Sequence, residues 1–484
     1  MKVMIFIFLA IALTTGTILH FTNQPNEEKT TPKTEVQADK PDKPKLADIV
    51  QPELYGPTGA VYDIDVTYDM EGHRIKGDLS VRFLNNTEKT LKEIHFNVWG
   101  NDKTFRKNGG GVIVDQVKVN QELSTFDMEK ETDLVISGLS LKPNRQYSVD
   151  MKFTVHVPKQ QNRFGWDGTT VSLGNWFPIL GVYEKGTGWD IDPYYQEGDS
   201  FYSLNSDFNV TVTTDKSLKI ATTGISVGEP KVNGQTAVHQ FKAENVRDFA
   251  MQMDPTYKVK SKKVDDVTVN LYYLEKHTPY VNQLLSDGVG SMNLFEEKFG
   301  DYPWPELDIV TMHGWFGGME YPQLVMISVT DKTQNYLSMI TAHEVAHQWF
   351  YGVVGNNQYD EPWLDESPTH FAALLYEEKL NQLDSVVPVP KGKYRLNSSI
   401  SVYDTGHPQA PQMFHHMIYM YGGRTINDLR KELGHKTFYR AVKTYVKQYR
   451  FGVATTEDFI QTMEKESERD LSVFFKNHRV LPSH

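Results

Sequence analysis

The residues of this chain best suited to chemistry stand close together. In TAHEVAHQWF, His343 and His347 are four positions apart and Glu344 follows the first of them. On a helix that spacing sets both imidazoles on one face with a carboxylate beside them, the H-E-x-x-H arrangement of metal-dependent hydrolases. A second string, WLDES, follows a loop rich in Gly and Asn and puts Glu366 eighteen intervening residues after His347, where a returning helix could bring a third ligand. Zinc suits the set, because catalytic zinc takes three nitrogen or oxygen protein ligands and keeps a fourth position for water. The expectation is one zinc ion per chain, held by His343, His347 and Glu366.

Two helices must position these groups. Apolar residues recur at Leu337, Ile340, Val345, Trp349 and Phe350, so Gln334 to Phe350 reads as a helix with Gly352 available as its stop. Two His in a mostly apolar helix need polar partners, and one metal ion satisfies both. In WLDESPTHF, Pro368 is tolerable only in the first turn of a helix, which places Glu366 near the helix start. His370, one turn after Glu366, is either a partner that orients it or a surface residue.

Ahead of these helices, YDIDVTYD, GDLSVRFLNN, IHFNVW, YSVDMKFTVHV, DFNVTVTTD and HQFKAE are short strand-like runs separated by Asn, Gly, Asp and Pro turns. They predict a large antiparallel β domain over residues 51–259. In DFNVTVTTD, alternation puts Phe208, Val210 and Val212 on one face, as in half-buried strands. The aromatic segment GNWFPILGVYEKGTGWDIDPYY reads as core in preference to a substrate surface. Helical character begins near Thr278, and a catalytic domain is expected over 260–484. Near its end, TINDLRKELG closes on Gly434, KTFYRAVKTYVKQYR follows, and Thr455 with Asp458 forms a capping-box pattern.

At 484 residues the chain exceeds one hydrophobic core, and a 12% share of aromatics argues for ordinary globular packing. A net charge of −12, with no basic stripe, excludes a nucleic-acid partner. The absence of cysteine removes disulfides, thiolate metal ligands and a thiol nucleophile together. Residues 1–22, with Lys2 before VMIFIFLAIAL, read as an uncleaved membrane anchor or a removed signal peptide, and 23–50 as a solvated linker rich in Pro and charge. Either case means an exported protein, anchored at the cell surface or secreted, with the membrane as partner if the segment stays.

Four strings, in order, resemble the aminopeptidase N-like family of zinc metallopeptidases, gluzincins related to leukotriene hydrolase and, more distantly, thermolysin. They are GGMEYP, HEVAHQWFYGVVG, WLDES and YMYGGRTINDLRKELG, the last similar to the family's Y-x-K-G segment. The likeness is specific over residues 314–434 and loose in the β region. It implies an N-terminal β-sandwich or saddle domain followed by a thermolysin-like α/β catalytic domain ending in helices.

The resemblance also implies roles. Glu344 would be the general base, Tyr419 the donor to the oxyanion, and Glu320 the anchor for the free α-amino group of a peptide. Gly317 and Gly318 would let the substrate backbone come close, and Tyr421 is the substitute if the register at Tyr419 is shifted. The chain departs from the family where Tyr321 replaces the usual asparagine and Tyr421 the usual lysine. It ends soon after the catalytic helices, which implies a more open cleft than in longer relatives. The expected activity is hydrolysis of peptide bonds, releasing N-terminal residues. The alternatives are a zinc endopeptidase and a non-catalytic cell-surface binding protein that keeps the fold.

Overall fold

The computed structural model describes residues 54–196, 198–314, 316–388, 394–404 and 406–482. The expected targeting segment and linker lie outside these residues. Among the described residues no helix is long and apolar enough to cross a membrane.

The β region is organised around one large sheet. Its main strands are β1 (Thr58–Asp69), β2 (Arg74–Asn85), β3 (Gly111–Val119), β4 (Arg145–His156), β5 (Ser206–Asp215) and β6 (Thr236–Val246). Tyr62, Ile64, Val66 and Tyr68 of β1 are buried while Asp65 and Thr67 between them are exposed, the period of two that a sheet with one dry face requires. Phe208, Val210 and Val212 of β5 are buried in the same way. The strands run in the order β6, β5, β1, β2, β4, β3. Neighbours are antiparallel except β5 and β1, which pair in parallel with Phe208 beside Tyr62. The expected all-antiparallel domain is therefore mixed at this one seam. A parallel pair needs a long crossover, and the chain between β1 and β5, which contains β2 to β4, supplies it.

A second sheet follows, built from β7 (Lys258–Val264), β8 (Val267–Tyr273), β9 (Glu306–Met312), β10 (Gly318–Tyr321) and β11 (Leu324–Ser328), in the order β7, β8, β9, β11, β10. Helix α1 (Val281–Phe299) makes the crossover between the parallel strands β8 and β9. Strand β10 runs antiparallel to β11 at the edge, so among the described residues one side of its backbone has no strand beside it. Helices were expected to dominate from Thr278 onward, and β9 and β11 went unread. These strands are buried on both faces and lack the alternation that announces a half-exposed strand.

Six further segments matter for the site. They are α2 (Leu337–Ala346), α3 (Trp363–Tyr376), a π-helical turn (His415–Tyr421), α4 (Gly422–Leu433), α5 (His435–Gln448) and α6 (Thr456–Ser467). Thr455 and Asp458 form both bonds of the expected capping box at the start of α6, and α4 ends at Gly434 with φ 77°. Buried Arg247 clamps the regions together. Its Nε donates to the Tyr351 carbonyl at 2.7 Å and its Nη1 to that of Ser203 at 2.9 Å, while Nη2 reaches the Gly452 carbonyl. GNWFPILGVY is core as expected: Trp176 and Phe177 are buried, and the indole N–H donates to the Phe249 carbonyl at 3.0 Å.

Candidate metal centre and active site

Helix α2 is shorter than its apolar pattern suggests. After Ala346, Gln348 and Trp349 donate to carbonyls three residues back, which tightens the end of the helix. His347 is therefore the C-cap, and the Gly352 N–H donates to its carbonyl at 2.9 Å. Tyr351 then turns the chain at φ 116°, a conformation costly for a bulky residue and held by the bond from Arg247 to its carbonyl. The loop returns into α3, where Glu366 lies in the first turn as expected. Pro368 does not: it sits inside the helix, beyond the first turn. Trp363 to Leu374 are all buried, so tertiary packing holds α3 together where propensity alone would break it.

Three lone-pair atoms now face one another. His343 Nε2 lies 3.2 Å from His347 Nε2 and 3.2 Å from Glu366 Oε2, and His347 Nε2 is 3.4 Å from the same oxygen. A tetrahedral zinc site with arms of about 2.0 to 2.1 Å has edges of about 3.3 to 3.4 Å, so the triangle has the size that the ion demands. Oε2 of Glu366 is buried and, among the described residues, has no hydrogen-bond partner. These are the residues that could hold a metal ion.

His347 is fixed from behind. Its Nδ1 sits 2.7 Å from Asp365 Oδ1, and Gln358 donates to the other oxygen of that carboxylate at 2.5 Å. An acceptor at Nδ1 leaves Nε2 as the ligating atom. Asp365 was missed in the sequence, although a carboxylate adjacent to the expected ligand Glu366 was the available signal. Burial alone would lower the His347 pKa, but Asp365, Glu320 and Glu366 around it hold it well above the usual imidazole value. Burial pushes His343 down.

Glu344 is buried at 5% exposure, and burial pushes its carboxyl well above the ordinary range, with His347 opposing. Glu320, on β10, faces the same space, so that Glu320, Glu344 and His347 each bring one atom within 4.8 Å of the others. Its Oε1 is buried and has no hydrogen-bond partner among the described residues, and burial followed by Asp199 raises its pKa. At Gly318 a Cβ would come within 2.3 Å of Glu344 Oε1, so glycine at this position makes room for that carboxylate before any substrate arrives. The Gly317 carbonyl accepts from Ser328 N–H at 2.9 Å.

Tyr419 lies in the π-helical turn, and its hydroxyl donates to Glu366 Oε1 at 2.5 Å while its ring stacks on His343 at 5.8 Å. Tyr421 points elsewhere, with its ring 6.5 Å from that of His478. The turn is held against α3 by Ser367, whose hydroxyl donates to the Ile418 carbonyl at 2.7 Å. His370 is not a surface residue: it is buried, 6.2 Å from the His343 ring and 6.3 Å from that of Tyr419, and burial pushes its pKa down to about 3. No hydrogen bond joins it to Glu366 among the described residues.

The β region also reaches the site. Arg163 and Asp199 form a buried ion pair, and Asp199 acts electrostatically on Glu320, Glu344, His343 and Tyr419. The Arg163 guanidinium lies 5.5 Å from the Phe201 ring and 5.8 Å from that of Phe316. Neither residue stands in a motif, and nothing in the sequence pointed to them. At the foot of the α2–α3 loop, Asn357 Nδ2 donates to Asp190 at 3.1 Å and to Asp192 and Asp360 at 3.4 Å.

Residues 285–478 match the Peptidase family M1 domain. Among similar proteins, Aminopeptidase M1-D of Oryza sativa subsp. japonica is 27% identical over 204 residues, 38% of this chain and 23% of that protein. Aminopeptidase 2, mitochondrial, of Saccharomyces cerevisiae is 27% identical over 223 residues, 41% of this chain and 23% of its own length. Glutamyl aminopeptidase of Bos taurus is 25% identical over 254 residues, 48% and 25% respectively. The matched stretch thus spans about a quarter of each relative. The stretch that matches the M1 domain contains Glu320, Glu344, Glu366, Tyr419 and both histidines, while Arg163, Asp199 and Arg247 lie outside it.

Proposed function

We propose that the protein is a zinc-dependent metallo-aminopeptidase that releases N-terminal residues from peptides. The observation that carries this reading is the triangle of His343 Nε2, His347 Nε2 and Glu366 Oε2, with edges of 3.2 to 3.4 Å, bordered by the two buried carboxylates Glu344 and Glu320. The three atoms would hold one zinc ion, which would supply Lewis acidity for the scissile carbonyl and for activating water near neutral pH.

Glu344, buried beside the ligand His347, takes the proton of the attacking water and gives it to the leaving amine. Tyr419 donates its hydroxyl, which in this structure rests on Glu366 Oε1, to the negative charge growing on the carbonyl oxygen. Glu320 receives the substrate's α-ammonium group, for which an unpartnered buried carboxylate oxygen is a fitting acceptor. The open edge of β10 offers backbone groups to an extended peptide. The apolar run from Val3 to Phe21 supports export to the cell surface or beyond.

Turnover of matched peptides with free and acetylated amino termini, on zinc-loaded protein, tests the reading. Free peptides are expected to be cut and acetylated ones spared, with Glu320→Ala erasing the difference. An endopeptidase would cut both, and a Glu320→Ala variant that kept its preference would remove the anchor.

A further inference from the structure

Tyr321 stands where the family resemblance leads one to expect asparagine, and the structure gives it a different task. Side chains alternate along β10, so Glu320 faces α2 and Tyr321 faces the β region. There the fully buried Tyr321 hydroxyl donates to Asn175 Oδ1 at 2.8 Å, and Asn175 Nδ2 donates to Asp248 Oδ2 at 2.7 Å. The other oxygen of Asp248 accepts from the Phe249 N–H at 2.7 Å.

The local backbone is shaped for this chain of bonds. Asn175 adopts φ 53°, which asparagine tolerates better than most residues. At the preceding Gly174 a Cβ would lie 1.8 Å from the Tyr321 hydroxyl oxygen, so any other residue would displace it. Behind, Gln348 holds the backbone of the same strand end, donating to the Tyr321 carbonyl at 3.1 Å and accepting from the Gln323 N–H at 2.8 Å. An edge strand has one neighbour instead of two and needs such tethers to keep a side chain in place.

We infer that Tyr321, Asn175 and Asp248 form a tether from the β region that positions Glu320 for the substrate's amino terminus. Tyr321 is a positioning residue: it touches neither substrate nor metal, and acts through the strand it shares with Glu320. The inference rests on the reading of Glu320 as amine anchor.

The test uses the full zinc-loaded chain with Tyr321→Phe, Asn175→Ala and the double variant. Tyr62→Phe is the control, since its buried hydroxyl accepts from Leu180 N–H at 2.9 Å and is hydrogen-bonded to neither Tyr321 nor Asn175. Tyr321→Phe is expected to raise KM for free-amine peptides about tenfold, the worth of one buried hydrogen bond, with kcat nearly constant. The preference for free over acetylated peptides should fall by the same factor. Asn175→Ala should match it, the double variant should add nothing, and Tyr62→Phe should leave KM alone. Amide exchange over residues 318–321 should quicken in Tyr321→Phe and stay unchanged in Tyr62→Phe. If the two Tyr→Phe variants behave alike in KM and in exchange, the tether is overturned. If the parent protein shows no free-amine preference, the aminopeptidase reading fails instead, and exchange alone decides whether Tyr321 holds the strand.

Discussion

Groups that face the cleft come from two regions built on different rules. The stretch from 285 to 478 supplies His343, Glu344, His347 and Glu366 from two consecutive helices, where spacings of one and four residues and a single returning loop bring them together. The β region supplies Arg163 and Asp199, with Asn175 and Arg247 as supports, each from a separate segment and brought in by packing alone. Chemistry set by helix periodicity is a local property of sequence. The electrostatic and mechanical frame around it is long-range, and can change without disturbing any motif.

If that division holds, damage to the first region should abolish turnover while damage to the second should weaken or destabilise. Removing a ligand has the largest expected effect: His347→Ala should lose bound zinc, by metal analysis of the purified protein, along with all peptidase activity. Glu344→Gln should keep its zinc and lose about 10²- to 10⁴-fold in kcat, the usual contribution of a positioned base. Equal activity in parent and variant would leave a binding protein as the better description. Tyr419→Phe should lower kcat by about 10²- to 10³-fold, as for other oxyanion donors, with zinc retained.

On the other side of the comparison, Arg163→Met leaves Asp199 buried without its partner and should cost about 3 to 5 kcal/mol of stability, read from denaturant unfolding. Arg163→Met combined with Asp199→Leu should recover part of that loss. If Arg163→Met changed neither stability nor kcat/KM, the β region would be irrelevant to the site. The smallest effect concerns Asp190 and Asp192. Burial, followed by Glu184 for Asp190 and by Asp190 for Asp192, raises them to about 6 and about 8. Both hold their protons more tightly folded than unfolded, so the stability this lends is present in acid and is lost as pH rises through those values. The melting temperature should therefore fall from pH 5 to pH 9, and Asp192→Asn should flatten the slope.

How much was legible follows the same division. The ligand helix and the start of α3 were read from His spacing, apolar recurrence and the Pro368 constraint, although Pro368 itself settled a turn later than its chemistry advised. The β strands showed through their alternation, while β9 and β11 were hidden because strands buried on both faces carry no period of two. Asp365 could have been found by asking what accepts from the second nitrogen of His347. The Arg163–Asp199 pair could not: 36 residues separate the partners, and their choice of each other is a property of the folded core.

The π-helical turn from His415 to Tyr421 has a consequence for how this site could be altered. A wide turn holds one residue more than an α-helix of the same rise, and the Gly422 N–H accordingly reaches back five residues to the Met417 carbonyl. Deleting a single residue between Phe414 and Tyr419 would let the segment relax into a regular, intrinsically better helix. The same deletion would swing Tyr419 about 100° around the axis and take its hydroxyl away from Glu366. Here a smoother backbone and a working hydroxyl are competing outcomes, one codon apart.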